Sequence, residues 1–323
     1  MKIFRLNIKR KVFVGLFLIL SISSFAQMPN DGLMMSKGYI CNVLNYSHNS
    51  WNHYWEGSYK RENANIGTLT NQNVMFMSAY GITNKINFMV GLPYVWTKSS
   101  EGQFAGQKGF QDLSIWLKVK ALKVDVPLGT FSVMLTAGAS TPVSNYIPDE
   151  MPFSIGNRSK TVSGRLIGYY KTEKGFYATV QSGYIYRNNI SIARDAYQYD
   201  EKILNTNQVQ IPNLIDVSGR LGFLNDNIQT EIFLDRYISL SGDNIRRNDM
   251  PFPTNAMSAT TYGAFGKYTF ITEKMGEFSV TAQISRVLVG ANVGQTTSIT
   301  LGIQHAFNLI KTKETTTIPI DKN

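Results

Sequence analysis

One cysteine and three histidines in 323 residues leave no material for an internal disulfide, and none for a cysteine-rich zinc site. Charge is scarce at 17% of residues, and no stretch beyond residue 26 approaches twenty consecutive apolar residues, which excludes a helical membrane protein. Apolar residues at helical spacing are missing from the same region. The formal charge of +10 is inflated by five bases in the first 26 residues. Without them 27 bases face 22 acids, scattered along the chain with no basic patch, so no nucleic-acid partner is expected. What the chain does have is 12% aromatic residues and 26 glycines, a diet unlike that of an ordinary soluble domain.

The first 26 residues read as an export signal. Lys2, Arg5, Lys9, Arg10 and Lys11 form a basic start without an acid, and Val12 to Leu20 is apolar apart from Gly15. Ser24-Phe25-Ala26 then offers small residues where a signal peptidase inspects the chain, so Sec-type export with cleavage before Gln27 is expected. Cys41 lies too far from that point for a lipoprotein. Three segments follow: a signal peptide at 1–26, a folded body at 27–308, and a polar, threonine-rich periplasmic tail at 309–323.

The body alternates with a period of two. Ile86, Phe88, Val90, Leu92, Tyr94 and Trp96 occupy every second position of one run. In the next, Leu113, Ile115, Leu117, Val119 and Ala121 interleave with Asp112, Ser114, Trp116, Lys118 and Lys120. Successive strand side chains point to opposite faces, so each run is a strand with one greasy and one polar face. Twelve such strands are expected, near 37–48, 71–82, 85–96, 110–122, 131–140, 161–171, 176–187, 211–224, 227–238, 258–271, 277–288 and 296–308. Tight turns alternate with long polar loops at 49–70, 97–109, 141–160, 188–210 and 239–257. That rhythm is the layout of an antiparallel transmembrane β-barrel of about twelve strands, with short periplasmic turns and long extracellular loops. A soluble sandwich alternates as well, but predicts neither the rhythm nor aromatics such as Tyr94, Trp96, Tyr184, Tyr268, Phe270 and Phe307 near strand ends. The expected location is the outer membrane of a Gram-negative bacterium. The expected partners are outer-membrane lipid and, through the terminal row Thr297 to Phe307, the barrel-assembly machinery.

Tyr80-Gly81-Ile82-Thr83-Asn84-Lys85-Ile86-Asn87, then Leu92-Pro93-Tyr94-Val95, Gly109-Phe110-Gln111-Asp112-Leu113 and Leu117-Lys118, come in an order and spacing with a known counterpart. Together they resemble the MetA-pathway of phenol degradation family, transporter-like outer-membrane proteins distantly related to the FadL-type channels for hydrophobic compounds. The resemblance implies an outer-membrane barrel passing aromatic or other apolar compounds. It supplies no catalytic or binding residues. Within the motif, Gly81 eases a strand end into a hairpin, and Pro93 breaks a ladder bond, which suggests a bulge or kink.

The polar face gathers Asp112, Lys118, Lys120, Arg165, Lys171, Arg187, Asp216, Arg220, Glu231, Asp235 and Lys267. They are candidates for a charged permeation path, or for an ion-pair network that fills and stiffens a narrow barrel, and the second role is favoured. Asp112 would partner a lumen base on a neighbouring strand. Trp51, Tyr54 and Trp55 in the first outer loop are candidate mouth residues for a planar ligand, or members of a girdle. His48 and Ser50 have the two-residue spacing of an outer-membrane phospholipase, but Trp51 follows where that family continues Asn-Gly. Gly102, Gly106 and Gly109 fail the phosphate-loop pattern. Cys41 is a small packing residue. No energy-coupling box or plug domain is visible before residue 37. The reading is a non-enzymatic channel or transporter without a cofactor, for small apolar or aromatic molecules. Its rivals are a structural or adhesive barrel that passes nothing and a lipid-hydrolysing barrel.

Overall fold

In the computed structural model, residues 28–246, 250–272 and 276–310 are described, so the signal segment and nearly all of the tail lie outside them. Twelve strands close into an antiparallel barrel: β1 (Tyr39–Trp51), β2 (Leu69–Gly81), β3 (Ile86–Ser99), β4 (Asp112–Val126), β5 (Gly129–Pro142), β6 (Thr161–Thr172), β7 (Phe176–Arg187), β8 (Leu214–Leu224), β9 (Ile228–Ser239), β10 (Ser258–Thr272), β11 (Gly276–Ala291) and β12 (Thr297–Asn308). Each pairs with its neighbour in sequence, and β1 pairs with β12 from Tyr39↔Asn308 to Ser50↔Thr297, which leaves no free edge. No helix occurs among the described residues. The expected strand limits fall within four residues of the observed ones. The largest departure is β4, which runs on to Val126 across a bulge between Lys120 and Leu122. The bulge shifts the alternation by one, so Leu122 and Val124 still face outward. Pro93 also sits at an irregularity, because β3 pairs as Gly91↔Ser114 on one side and Tyr94↔Phe110 on the other.

The outer face is apolar. Leu117, Leu135, Val162, Leu166, Val180, Leu221, Ile232, Ile284 and Leu301 are all exposed, as lipid-facing side chains of a membrane barrel must be. Aromatic rings collect at both rims. Tyr46, Tyr94, Trp96 and Phe110 touch one another at the loop end, while Phe176 with Phe223, Tyr268 with Phe270, and His305 with Phe307 do so at the turn end. These are the two interfacial girdles.

Inside, long side chains lie over glycines on the next strand. Trp116 faces Gly138, Arg165 faces Gly183, Tyr177 faces Gly222, Phe233 faces Gly263 and Asn45 faces Gly302 as direct cross-strand partners. A Cβ at Gly183 would sit 3.0 Å from the Arg165 Nε, and one at Gly222 would sit 2.6 Å from the Tyr177 hydroxyl. At Gly183 and Gly222 the missing side chain lets Arg165 and Tyr177 cross one strand and reach the second.

Candidate functional site: a partly filled lumen

Two side chains use those glycine crossings to make an ion-pair network across β6 to β9. Arg165 passes Gly183 to pair with Asp216, and Tyr177 passes Gly222 to donate to Glu231 Oε2 at 2.7 Å. Arg220 pairs with Glu231 at 2.6 Å and with Asp235 at 3.5 Å, its guanidinium 5.0 Å from the centre of the Phe233 ring. Ser218 donates to Asp235. Five of the residues expected to face the lumen are thus brought into two groups on the inner wall, Arg165 with Asp216 and Arg220 with Glu231 and Asp235.

Lys118 does something else. Its side chain is fully buried, and its ammonium donates to the carbonyls of Met28 and Asp31 at 3.0 and 2.6 Å and to the Asp31 carboxylate at 2.8 Å. Those acceptors belong to the stretch from Met28 to Gly38, which enters at the turn end and runs up inside the barrel. Lys37 N donates to Asn84 Oδ1 in the β2–β3 turn, Asn87 donates to the Met35 carbonyl, and Thr136 donates to the Pro29 carbonyl. Met35 and Leu33 fill the inner wall, Met35 with Cys41, Val43, Met77, Ala79 and Met89, Leu33 with Met134, Ile167 and Leu224. Asp31 also folds the segment on itself by accepting from the backbone of Met28 and Leu33. No energy-coupling box or plug domain was expected before residue 37; what lies there is no domain but a short irregular stretch of eleven residues, Met28 to Gly38, packed on the inner wall. They have no period to betray them. Gly81 is explained by the same segment, since any side chain there would strike the backbone of Ser36.

At the loop end the β5–β6 loop packs onto β3 and the β3–β4 loop. Phe153 and Ile155 are buried, Thr97 donates to the Phe153 carbonyl at 2.6 Å, and Phe153 stacks on Phe104. Gln107 exchanges bonds with Ile147. Asp112 was expected to meet a lumen base. It accepts from the Tyr146 hydroxyl at 2.8 Å, which in turn accepts from Arg158 N, and the base that acts on it electrostatically is Arg187 of β7, not one on a neighbouring strand. Burial, reinforced by the Asp112 carboxylate, pushes the Tyr146 phenol up, so it remains a donor.

Of the other candidates, Lys120 is half-buried and Lys267 is buried between β9 and β11. Arg187 faces the bore above the network. Trp51 ends β1, while Tyr54 and Trp55 belong to a hairpin, His53–Glu56 with Tyr59–Glu62, docked on the barrel end. Trp55 is buried against Ala259 and Val287, and its backbone bonds Val293, so it anchors the hairpin and has no face left for a ligand. Trp51 packs beside Ile66, Leu69 and Phe153, 6.3 Å from Tyr54. His48 and Ser50 share no hydrogen bond among the described residues, and Ser50 lies at the strand end beside Thr297.

The chamber left between segment and loop has Asn30 as its floor and Met151 and Asn157 as its roof. A closed barrel with an apolar belt, two girdles and a polar, partly filled interior is an outer-membrane barrel. The sequence profile of the MetA-pathway of phenol degradation family matches residues 63–206, which bears out the resemblance read from residues 80–118. Among solved structures, the fold is similar to an outer membrane channel from Pseudomonas putida F1, with a TM-score of 0.63 at 15% identity over 87% of this chain and 100% of that one. A Pseudomonas aeruginosa FadL homologue aligns with a TM-score of 0.39 at 9% identity, over 85% of this chain and 91% of that one. The translocator domain of the autotransporter NalP from Neisseria meningitidis aligns at 0.42 and 8%, over 84% and 89%. No curated protein matches the sequence.

Proposed function

We propose that this barrel is an outer-membrane channel for small apolar or aromatic molecules, held shut at rest by its own N-terminal stretch. The observation that carries the reading is the chamber of about 490 Å³ between Asn30 and Met151. A barrel serving only as a wall or an adhesin has no use for a cavity with a removable floor. The inner closure is held by a handful of polar bonds and two buried apolar anchors, so it can leave without breaking the wall. The family profile and the Pseudomonas putida channel's likeness lean the same way. Catalysis draws no support, since His48 and Ser50 are not joined. Export through a signal cleaved near Ala26 is part of the reading. Mass spectrometry of membrane-extracted protein should find Gln27 at or near the N-terminus.

The test is a deletion of residues 28–36, reconstituted beside the intact protein. The intact barrel should show small, intermittent conductance in planar bilayers, and the deletion a steady and larger one. Proteoliposomes of either should admit a neutral aromatic such as phenol faster than protein-free vesicles. A deleted form that folds but neither conducts nor admits any solute defeats the channel reading and leaves the structural barrel standing.

A further inference from the structure

We propose that the outer wall binds a phosphorylated glycolipid of the outer leaflet, its phosphates held by Arg236 and Arg286 and its acyl chains laid in a groove across β7 to β11. The site is independent of what passes the bore. Strand alternation sets both arginines outward. Arg236 stands between Asp235 and Tyr237 of the inner face, and Arg286 between the buried Ser285 and Val287. Both are exposed, and neither makes an ion pair or hydrogen bond among the described residues. Ile228 faces Tyr268 of the turn-end girdle, and the strand from there to Arg236 rises about 20 Å at the usual tilt, as does the strand from Phe278 to Arg286. The apolar band of such a barrel is about 25 Å tall, with its long loops outside the cell. Both guanidiniums therefore lie near the band's upper margin, where the head groups of the outer leaflet begin.

A guanidinium on that face has no acid of the protein to meet. The outward positions of the wall between the girdles include none, so a second copy of the barrel has none to offer either. The anion must come from the lipid, and a planar fork takes a phosphate through two parallel bonds. Arg236 faces Thr260 while Arg286 faces Tyr262, so two interstrand gaps and a short offset in register put the arginines about 12 Å apart. That spacing gives each a phosphate of its own, as a head phosphorylated at both ends offers. Tyr262, directly across from Arg286, sets a hydroxyl between them. On the turn side of Arg286 the wall is hollow. A groove of about 820 Å³ runs from Val180 past Leu221, Ile232 and Ile284 to Tyr262 and Arg286. Gly219 and Ala264 keep it open, and a Cβ at Gly219 would meet nothing within 4 Å. Its outward-facing lining is apolar up to Tyr262, Arg286 and Thr297, which is the division an amphipathic lipid has along its own length.

The experiment is native mass spectrometry of the intact, detergent-folded protein with bisphosphorylated lipid A, with the same lipid stripped of its phosphates, and with phosphatidylglycerol. Lipid A should bind at least about tenfold more tightly than either of the others. In the double variant Arg236→Gln with Arg286→Gln that preference should fall to near one. Gly219→Leu fills the groove, so it should weaken lipid A and its phosphate-free form alike. Equal binding of lipid A and its phosphate-free form, equal binding of phosphatidylglycerol, an unchanged preference in the double variant, or undiminished lipid A binding in Gly219→Leu each overturn the proposal. Paired barrels in place of lipid-bound ones would give the face to a second copy and overturn it too. The wild-type comparison decides even if no variant folds.

Discussion

A lysine ammonium with no exposure must find acceptors, and Lys118 finds three on a single irregular stretch of chain. Breaking one side of a buried charge pair costs about 3–5 kcal/mol, because the other charge is left stranded. Lys118→Met should therefore loosen the N-terminal segment while sparing the wall, which already has methionines on its inner face. Limited proteolysis should then cut within residues 28–38 in the variant and not in the parent. Asp31→Asn should be milder, since two carbonyl acceptors remain. At Arg220 the outcome differs. Arg220→Ala strands Glu231 and Asp235 beside the bore, so single-channel recordings should show a shift toward cations together with a rise in conductance. An unchanged reversal potential would mean that those acids do not face the path.

At the scale of strands, the facing pattern is the testable content. Leu117 and Leu135 are exposed on the outer wall, so an arginine at either should cost about 2–4 kcal/mol of folding stability in lipid, measured by denaturant titration. Arginine at Ser114, on the inner face, should be much milder. Thr136 also faces inward, yet it holds the Pro29 carbonyl, so arginine there should displace the segment without unfolding the strand. The loop over the mouth has its own lever. The Tyr146 phenol is held above the ordinary value of 10.0, so an open, solvated loop releases that proton first. The latch onto Asp112 is complete below that value and weakens as pH rises through and beyond it. Protease protection of residues 143–160 should fall in the same range, and Tyr146→Phe should lose both the latch and its pH dependence.

Taken whole, the molecule is a wall, an inner segment, a loop at the mouth and the space between them. Removing residues 28–36 should open the bore, while the wall itself should keep its heat-modifiable migration, because none of β1 to β12 is touched. The wall was legible in the residues. Whether Leu135 faces lipid or lumen depends on its neighbours at one-residue spacing, and a period of two is written locally by the partition between hydrocarbon and water. The same holds for the girdles and for the alternation of turns and loops. The contents of the wall were not legible. Which acid Arg165 meets was settled by strand register, which brings Asp216 within reach over Gly183 across an intervening strand. Asp112 meets Tyr146 because a loop folded inward, and Trp55 meets Ala259 because a hairpin docked. The stretch from Met28 to Gly38 carries no pattern, since it bonds to the wall through backbone carbonyls that every residue has. The sequence alone determined the barrel. Only the tertiary structure decided what fills it, the stretch from Met28 to Gly38 on Lys118 and Tyr146 on Asp112, because both depend on which distant groups the folded wall brings together.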